Sequence, residues 1–324
     1  FSKAGLDIIN SEARPGIKAL CEVAGISHQP AFAEYVSFRL VPRLNAAGRM
    51  AHASVALQLL TTDNIATARQ LAQSLDALNY RRRELERSIL EGILEDYQQQ
   101  PDLLNNQTLV KWNPGWHQGV LGIVASRMVE TYYRPTVLIA MKGELGKGSA
   151  RSIPGLDLYL ALRKCRHLLE DFGGHSMAAG LTIRTENLFD FQRAFEKAVR
   201  QMDHPDDPIP KLTIDTEICF DDISAKLMDE IENISPFGIQ NPEPLFMARN
   251  VNVLSSEVVG QNHRKMALTQ SNSRSAKPIN AICFNAAGNL LSASSFARLA
   301  FRLRWNRWND KQSIQLIVED ARSQ

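Results

Sequence analysis

Between residues 65 and 97 apolar side chains recur at close to helical spacing: Ile65, Ala68, Leu71, Leu75, Leu78, Leu85, Ile89, Ile93 and Tyr97. Asp63 or Asn64 supplies an N-cap and Pro101 a stop, so the pattern predicts one helix of about 35 residues, roughly 50 Å long at about 1.5 Å per residue. A helix of that length suits a spacer joining two domains better than an element of one compact core. The run Arg81-Arg82-Arg83 within it reads as a solvated face, or as a nucleic-acid contact where the helix flanks a groove.

Downstream the period changes. Residues 108–111, 136–141, 148–152 and 178–183 read as strands, and 119–131, 156–169 and 188–201 as helices, which predicts an α/β domain with a mixed sheet. After an acidic, proline-containing segment at 204–210, short strands dominate: 251–259, 265–269, 279–284, 297–304 and 313–319. Five short strands with one helical interruption fit an OB-fold barrel. Residues 1–62 read as the tail of a larger α/β unit, so the expected division is 1–62, a connecting helix at 63–101, an α/β domain at 102–203 and an all-β domain at 204–324.

Composition changes this picture little. A chain of 324 residues with 44% hydrophobic content can bury two or three cores, and it has no run of 18 apolar residues that would span a membrane. Cys21, Cys165, Cys219 and Cys283 lie far apart with no C-x-x-C pair, which favours reduced, mostly buried thiols over a zinc site or disulfide framework and implies the cytoplasm. The net charge of +2 hides an uneven distribution. Residues 203–243 hold eleven Asp or Glu against two Lys, whereas 261–324 hold ten Lys or Arg against three Asp or Glu. The basic side is therefore expected in the C-terminal domain, where a local stripe of cations would attract phosphates.

The most informative stretch is Leu169-Glu170-Asp171-Phe172-Gly173-Gly174-His175-Ser176-Met177-Ala178-Ala179-Gly180-Leu181-Thr182, between a helical and a strand-like pattern. Without Cβ atoms, Gly173 and Gly174 allow unusual backbone angles and close approach to a phosphate or sugar. The same residues also fit a tight turn with a capping histidine. Trp116-His117-Gln118-Gly119 ends a loop and opens a helix, leaving backbone N–H groups for an anion, or for a structural histidine cap. In Gly148-Ser149-Ala150-Arg151-Ser152, Ser149 and Arg151 share a strand face, and Arg151 has the fork geometry for a phosphate or a salt bridge. Asn45 and Arg49 are four apart, on one face of any helix there. In the C-terminal domain Arg298, Arg302, Arg304, Trp305, Arg307 and Trp308 interleave cations with indoles, as a single-strand binder would, while alternation along a strand turns one of the two tryptophans toward the barrel core.

The pattern Phe-Gly-Gly-His-x-x-Ala-Ala-Gly resembles the signature of the DHH-associated domain of DHH-family phosphoesterases. Residues 42–49, 116–127, 148–152 and the stretch 236–246 narrow the resemblance to the RecJ family of single-strand-specific DNA exonucleases, in order from about residue 14 onward. The largest departure is that no Asp-His-His triplet occurs, and the seven histidines are scattered singly. The resemblance thus implies a remnant of a DHH domain at 1–62, a long connecting helix, a DHH-associated domain and an OB-fold. It implies 5′-to-3′ hydrolysis of single-stranded DNA with Mn or Mg in the complete enzyme, in DNA repair and recombination, but no metal held by this chain alone. It implies catalytic roles for Arg49 and His175. Substrate contacts are expected from Asn45, His117, Ser149, Arg151, Ser152, Gly173, Gly174, Ala178, Ala179 and Gly180, and in the OB-fold from Arg264, Lys265, Arg302, Arg304, Trp305 and Trp308. Single-strand-binding protein or a helicase are the expected partners of the complete enzyme, and a monomer the expected state. Two other classes share parts of the pattern: a phosphoesterase of short oligonucleotides, which would lack the OB-fold, and a non-catalytic nucleic-acid-binding module, since the Gly-Gly-His domain also resembles the C-terminal domain of alanyl-tRNA synthetases.

Overall fold

The computed structural model describes residues 1–11, 13–27, 31–202, 209–260, 262–274, 277–286, 289–308 and 311–323. Two compact units emerge, one built from residues 6–210 and the other from 211–324 with residues 1–5.

Helix α1 (Ser2–Ser11) opens the chain, and in the first unit helices α2 (Pro15–Ala24), α3 (Ala33–Tyr35), α4 (Val41–Met50) and α5 (Ser54–Thr61) precede the long helix α6 (Ile65–Gln99). The Asn64 side chain accepts the Thr67 N–H at 3.0 Å and caps α6, satisfying one of its orphan donors. The two halves of α6 bury one continuous stripe against different partners. Ala68, Ala72 and Leu75 pack with Ala19 and Leu20 of α2, Ala47 of α4 and Leu59 of α5. Ile89, Ile93 and Tyr97 pack with Leu121, Val124, Ala125 and Met128 of the next helix. The long helix is thus a shared wall of two cores, and its polar middle, Asn79 and Glu86, is also buried, at 5% and 6% exposure.

A five-stranded mixed sheet follows, ordered β1-β2-β3-β5-β4. Its strands are β1 (Leu109–Asn113), β2 (Thr136–Lys142), β3 (Leu145–Arg151), β4 (Leu169–Gly174) and β5 (Ala178–Arg184). β1 and β2 are parallel, and the other pairs antiparallel. β2 is buried along all but its last residue, as a central strand covered on both faces must be. Helix α7 (Leu121–Tyr132), preceded by the short turn Gln118–Val120, covers one face, and α8 (Leu158–Lys164) and α9 (Leu188–Arg200) cover the other. The helix expected at 156–169 is shorter than the sequence suggested. It ends at Lys164, and Leu169–Gly174 is a strand paired with β5. The two glycines therefore end a paired strand of a hairpin.

The second unit carries β6 (Thr216–Glu217), helix α10 (Ala225–Asn233), β7 (Phe246–Val259), β8 (His263–Gln270), β9 (Ile279–Cys283), helix α11 (Asn289–Ser292), β10 (Ser295–Trp308) and β11 (Lys311–Ser323). Pairing runs β7-β8-β9-β11-β10, with β9 and β11 parallel, and β10 pairs again with β7 over Ser295–Phe301. Beyond Phe301 the strand β10 pairs with β11 alone, so the ring of strands is complete at one end and open at the other, as in an OB-fold. Inward side chains such as Val251, Leu268, Ala281, Phe301 and Leu316 make its core. All five expected strands are present; four begin earlier or run longer than their sequence pattern, because ladder hydrogen bonds extend past the last alternating residue, and β9 ends one residue short of it, at Cys283.

No helix among the described residues is long and apolar enough to cross a membrane. Cys165 and Cys283 are buried, Cys21 is half-buried and Cys219 exposed, so burial is less general than expected. Burial pushes the Cys165 thiol up to about 11.

Candidate functional site

Strand alternation sorts the glycine-rich residues into two faces. Ala150, Ala179, Leu181 and Ile183 point into the core beneath α8 and α9, so Ala179 is a packing residue and not a ligand contact, contrary to the expectation. On the opposite face Ser149 pairs with Gly180, which pairs in turn with Gly173, and Arg151 pairs with Ala178. Here α7 covers the sheet only as far as β3. A cleft remains beside it, lined by Gln118, Leu121, Lys147, Ser149, Asp171, Gly180 and Thr182. Lys147, Asp171, Thr182 and Gln118 were given no site role from sequence. Lys147 was within reach of the alternation argument that found Ser149 and Arg151, whereas Asp171 lay between the expected helix and the expected strand, and only its pairing with Thr182 gives it a face.

The N-terminal turn of α7 and the last turn of α4 meet at this cleft. His117 caps the turn, its Nδ1 accepting the Gly119 N–H at 3.1 Å, which places the ring proton on Nε2. The Arg49 guanidinium donates to the Gly119 carbonyl at 3.3 Å. Gly119 has to be glycine, because a Cβ there would lie 2.1 Å from the Arg49 carbonyl oxygen. Arg43, in the same motif, instead ties α4 to α6 through Asp76 at 2.8 Å. Asn45 is exposed on α4. Arg151 lies across Gly122 in the first turn of α7, where a Cβ would approach its Nη2 to 2.5 Å. Its guanidinium reaches Ser149 Oγ at 3.2 Å and the Ala150 carbonyl at 2.8 Å.

Neither Arg49 nor Arg151 has a carboxylate partner among the described residues. Burial, and after it the Arg49 charge, holds the Arg151 guanidinium below its usual range. Arg82 is likewise lowered by burial and by Arg49, Arg83 and Arg127, against the opposing pull of Glu86. Arg82 is therefore no part of a solvated face. Its side chain is 13% exposed and donates to Glu86 at 3.0 Å and to Asn79 at 2.9 Å, and Arg127 reaches the other Glu86 oxygen at 2.5 Å. One buried carboxylate thus sits under a concentration of arginines, a field that favours an anion at Arg49 and Arg151.

The remaining expected residues divide. His175 is exposed at the β4–β5 hairpin, with its backbone N–H on the Ala178 carbonyl at 2.8 Å and its ring free of protein partners among the described residues. Ser152 is buried and donates to the Leu156 carbonyl at 2.9 Å, a loop brace and not a substrate contact. In the second unit Arg264 is also not available to substrate. At 3% exposure it donates to the carbonyls of Leu290 at 2.7 Å and Ala293 at 2.8 Å, locking α11 under the barrel. Lys265 is exposed and pairs with Glu257 at 3.1 Å. Arg302 reaches Glu319 at 2.9 Å, and Arg304 grips both Glu243 oxygens, at 3.0 and 2.9 Å. Trp305 is the half-buried indole, packed on the core, while the side chain of Trp308 lies outside the described residues. The acidic and basic stretches that are separate in sequence are therefore partly neutralised against each other by folding.

Among the described residues no group of three or more His, Cys, Asp or Glu is placed to hold a metal ion. These residues do not fit a metal centre, and no metal-dependent step is assigned to them.

Residues 105–201 match the DHHA1 domain and residues 214–320 the RecJ OB domain. The chain is 33% identical over 322 residues to the single-stranded-DNA-specific exonuclease RecJ of Bacillus subtilis, covering 98% of this chain and 40% of that protein. It is 35% identical over 319 residues to RecJ of Escherichia coli, covering 95% of this chain and 55% of that protein. Its fold is similar to the crystal structure of RecJ in complex with Mn2+ from Thermus thermophilus, with a TM-score of 0.84, 30% identity, and coverage of 99% of this chain and 46% of that one. Sheet, cleft and barrel thus define a DHHA1 domain followed by an OB domain. The chain is RecJ-like over nearly its whole length, and it spans about half the length of the RecJ proteins it matches.

Proposed function

We propose that this chain is the substrate-holding half of a 5′-to-3′ single-stranded-DNA exonuclease of the RecJ type, acting in DNA repair and recombination. The observation that carries the reading is the pair Arg49 and Arg151, which flank the N-terminal turn of α7 without carboxylate partners, beside a glycine-lined sheet face. Such a face accepts a phosphodiester backbone: the cations meet phosphate oxygens, the bare backbone at Gly173 and Gly180 lets the sugar approach, and His175 stands at its rim. The similarity to a RecJ crystallised with Mn2+ supports a divalent-metal mechanism for the complete enzyme, with the ligands contributed elsewhere. The OB domain supports a substrate longer than a dinucleotide.

Two outcomes follow. Purified chain incubated with labelled single-stranded DNA and Mn2+ should release no nucleotides, and robust metal-dependent release would overturn the assignment of metal chemistry to other residues. The same chain should bind 5′-phosphorylated oligothymidylate in a fluorescence-anisotropy titration. Arg49→Gln/Arg151→Gln should flatten the log K against log salt line by about 1.4, from about 0.7 for each lost phosphate contact, with an unchanged melting temperature. An unchanged slope would remove the phosphate from this cleft.

A further inference from the structure

The registers of β7, β10 and β11 place three arginines side by side. Arg298 stands directly opposite Arg249 on one neighbour and Arg322 on the other. Both Arg298 and Arg322 are exposed, and neither has an ion-pair or hydrogen-bond partner among the described residues. Arg249 is held by Glu217, at 3.0 and 2.9 Å. The carboxylates of β11 do not complete the row: Glu319 is engaged by Arg302, and Asp320, opposite Ala300, forms no ion pair.

Like charges directly opposite on neighbouring strands destabilise a sheet, and the usual arrangement sets a carboxylate across from a cation. Three arginines in register, with one carboxylate between them, are therefore a cost to the fold that an anionic ligand would remove. The row lies on the β7-β10-β11 side of the barrel, away from β8 and β9, the second and third barrel strands on which OB-folds ordinarily bind. Strands about 4.8 Å apart spread the three guanidiniums over about 10 Å, a span that suits successive phosphates of one strand.

We infer that this row is a second phosphate-binding track, which holds single-stranded nucleic acid by its backbone on the outer face of the barrel. The inference rests on the reading of the chain as a single-strand binder. Arginine, with a planar fork for phosphate oxygens, fits the role better than lysine would. A track that holds phosphates alone reads no sequence, since sequence is read at base edges.

The test is oligothymidylate binding by the whole chain between 50 and 200 mM salt, for the parent, Arg298→Gln/Arg322→Gln and Arg298→Lys/Arg322→Lys. Loss of two phosphate contacts should flatten the slope by about 1.4, so the difference between parent and glutamine variant should shrink about sevenfold over that fourfold change in salt. The lysine variant should keep the parent's slope with weaker binding. The glutamine variant should melt at the parent's temperature or slightly above it, because the like-charge contact is gone. A parent that binds while the glutamine variant keeps an unchanged slope overturns the track and leaves the cleft reading standing. Loss of binding through Arg298 and Arg322 but not through Arg49 and Arg151 does the reverse. A parent that fails to bind at low salt overturns both. Binding of a polyglutamate peptide that depends on the row, with DNA binding unaffected, also overturns it, in favour of an acidic protein partner.

Discussion

Glutamine in place of Glu86 is expected to cost residues 6–210 about 3–5 kcal/mol, the penalty for removing one partner of a buried ion pair. Glu86 is 6% exposed and accepts from both Arg82 and Arg127. A neutral amide would leave the Arg82 guanidinium buried in a field already set positive by Arg49, Arg83 and Arg127. At about 2–4 °C per kcal/mol for a unit of this size, the melting temperature should fall by roughly 10 °C. Removing the pair together, as Arg82→Leu/Glu86→Leu, should recover most of that loss, since an apolar replacement of similar volume spares the desolvation of both charges. Calorimetry distinguishes the two variants. Equal melting of the glutamine variant and the parent would show that solvent, and not Glu86, balances these arginines. Because Arg127 is on α7 and Arg82 on α6, the same substitution should loosen the helix whose first turn supports Arg151, and phosphate binding should weaken along with stability.

The two adjacent glycines are expected to respond oppositely to alanine. Gly174 has φ of +150°, and a Cβ there would lie 2.4 Å from the Ala178 carbonyl oxygen and 2.5 Å from the Ala179 Cα, both backbone atoms that cannot turn aside. Gly174→Ala should therefore cost about 3 kcal/mol or more of stability, from a strained backbone and a displaced β4–β5 pairing. A Cβ at Gly173 would meet nothing within 4 Å. Its glycine is explained by what approaches from outside, so Gly173→Ala should leave the melting temperature within about 1 °C of the parent and weaken oligothymidylate binding by tenfold or more, as lost close approach of backbone to ligand would. A thermal melt and an anisotropy titration on each variant decide the matter. Destabilisation by Gly173→Ala with affinity retained would return both glycines to the hairpin and remove this part of the cleft from the binding surface.

Much of the architecture is legible in local pattern, because one buried face imposes its period on the chain. The nine apolar positions of α6 and the alternation of five barrel strands are that kind of signal, and so is Asn64 before the first helical turn. Leu169–Gly174 is not, since Leu169 and Phe172 are spaced as compatibly with a helix end as with a strand, and only pairing with β5 turns the segment into a strand. The residue types of the candidate cleft were visible too: Arg49, Arg151, Ser149, Gly173 and His175 are all in short motifs whose order along the chain resembles one family.

What no local pattern contains is who pairs with whom. Arg49 meets Gly119 across 70 residues, and Glu243 meets Arg304 across 61, so whether an arginine is free or neutralised depends on chain closure and not on its neighbours in sequence. The same physics sends Arg264 and Ser152 inside, where carbonyls satisfy them, leaves Arg49 and Arg151 without a carboxylate, and lines up Arg249, Arg298 and Arg322 by strand register alone. Sequence by itself determined the elements and the chemistry on offer, because propensity and periodicity act over a few residues. Tertiary structure alone decided which of those charges remain available, because burial and ion pairing are settled by long-range contacts.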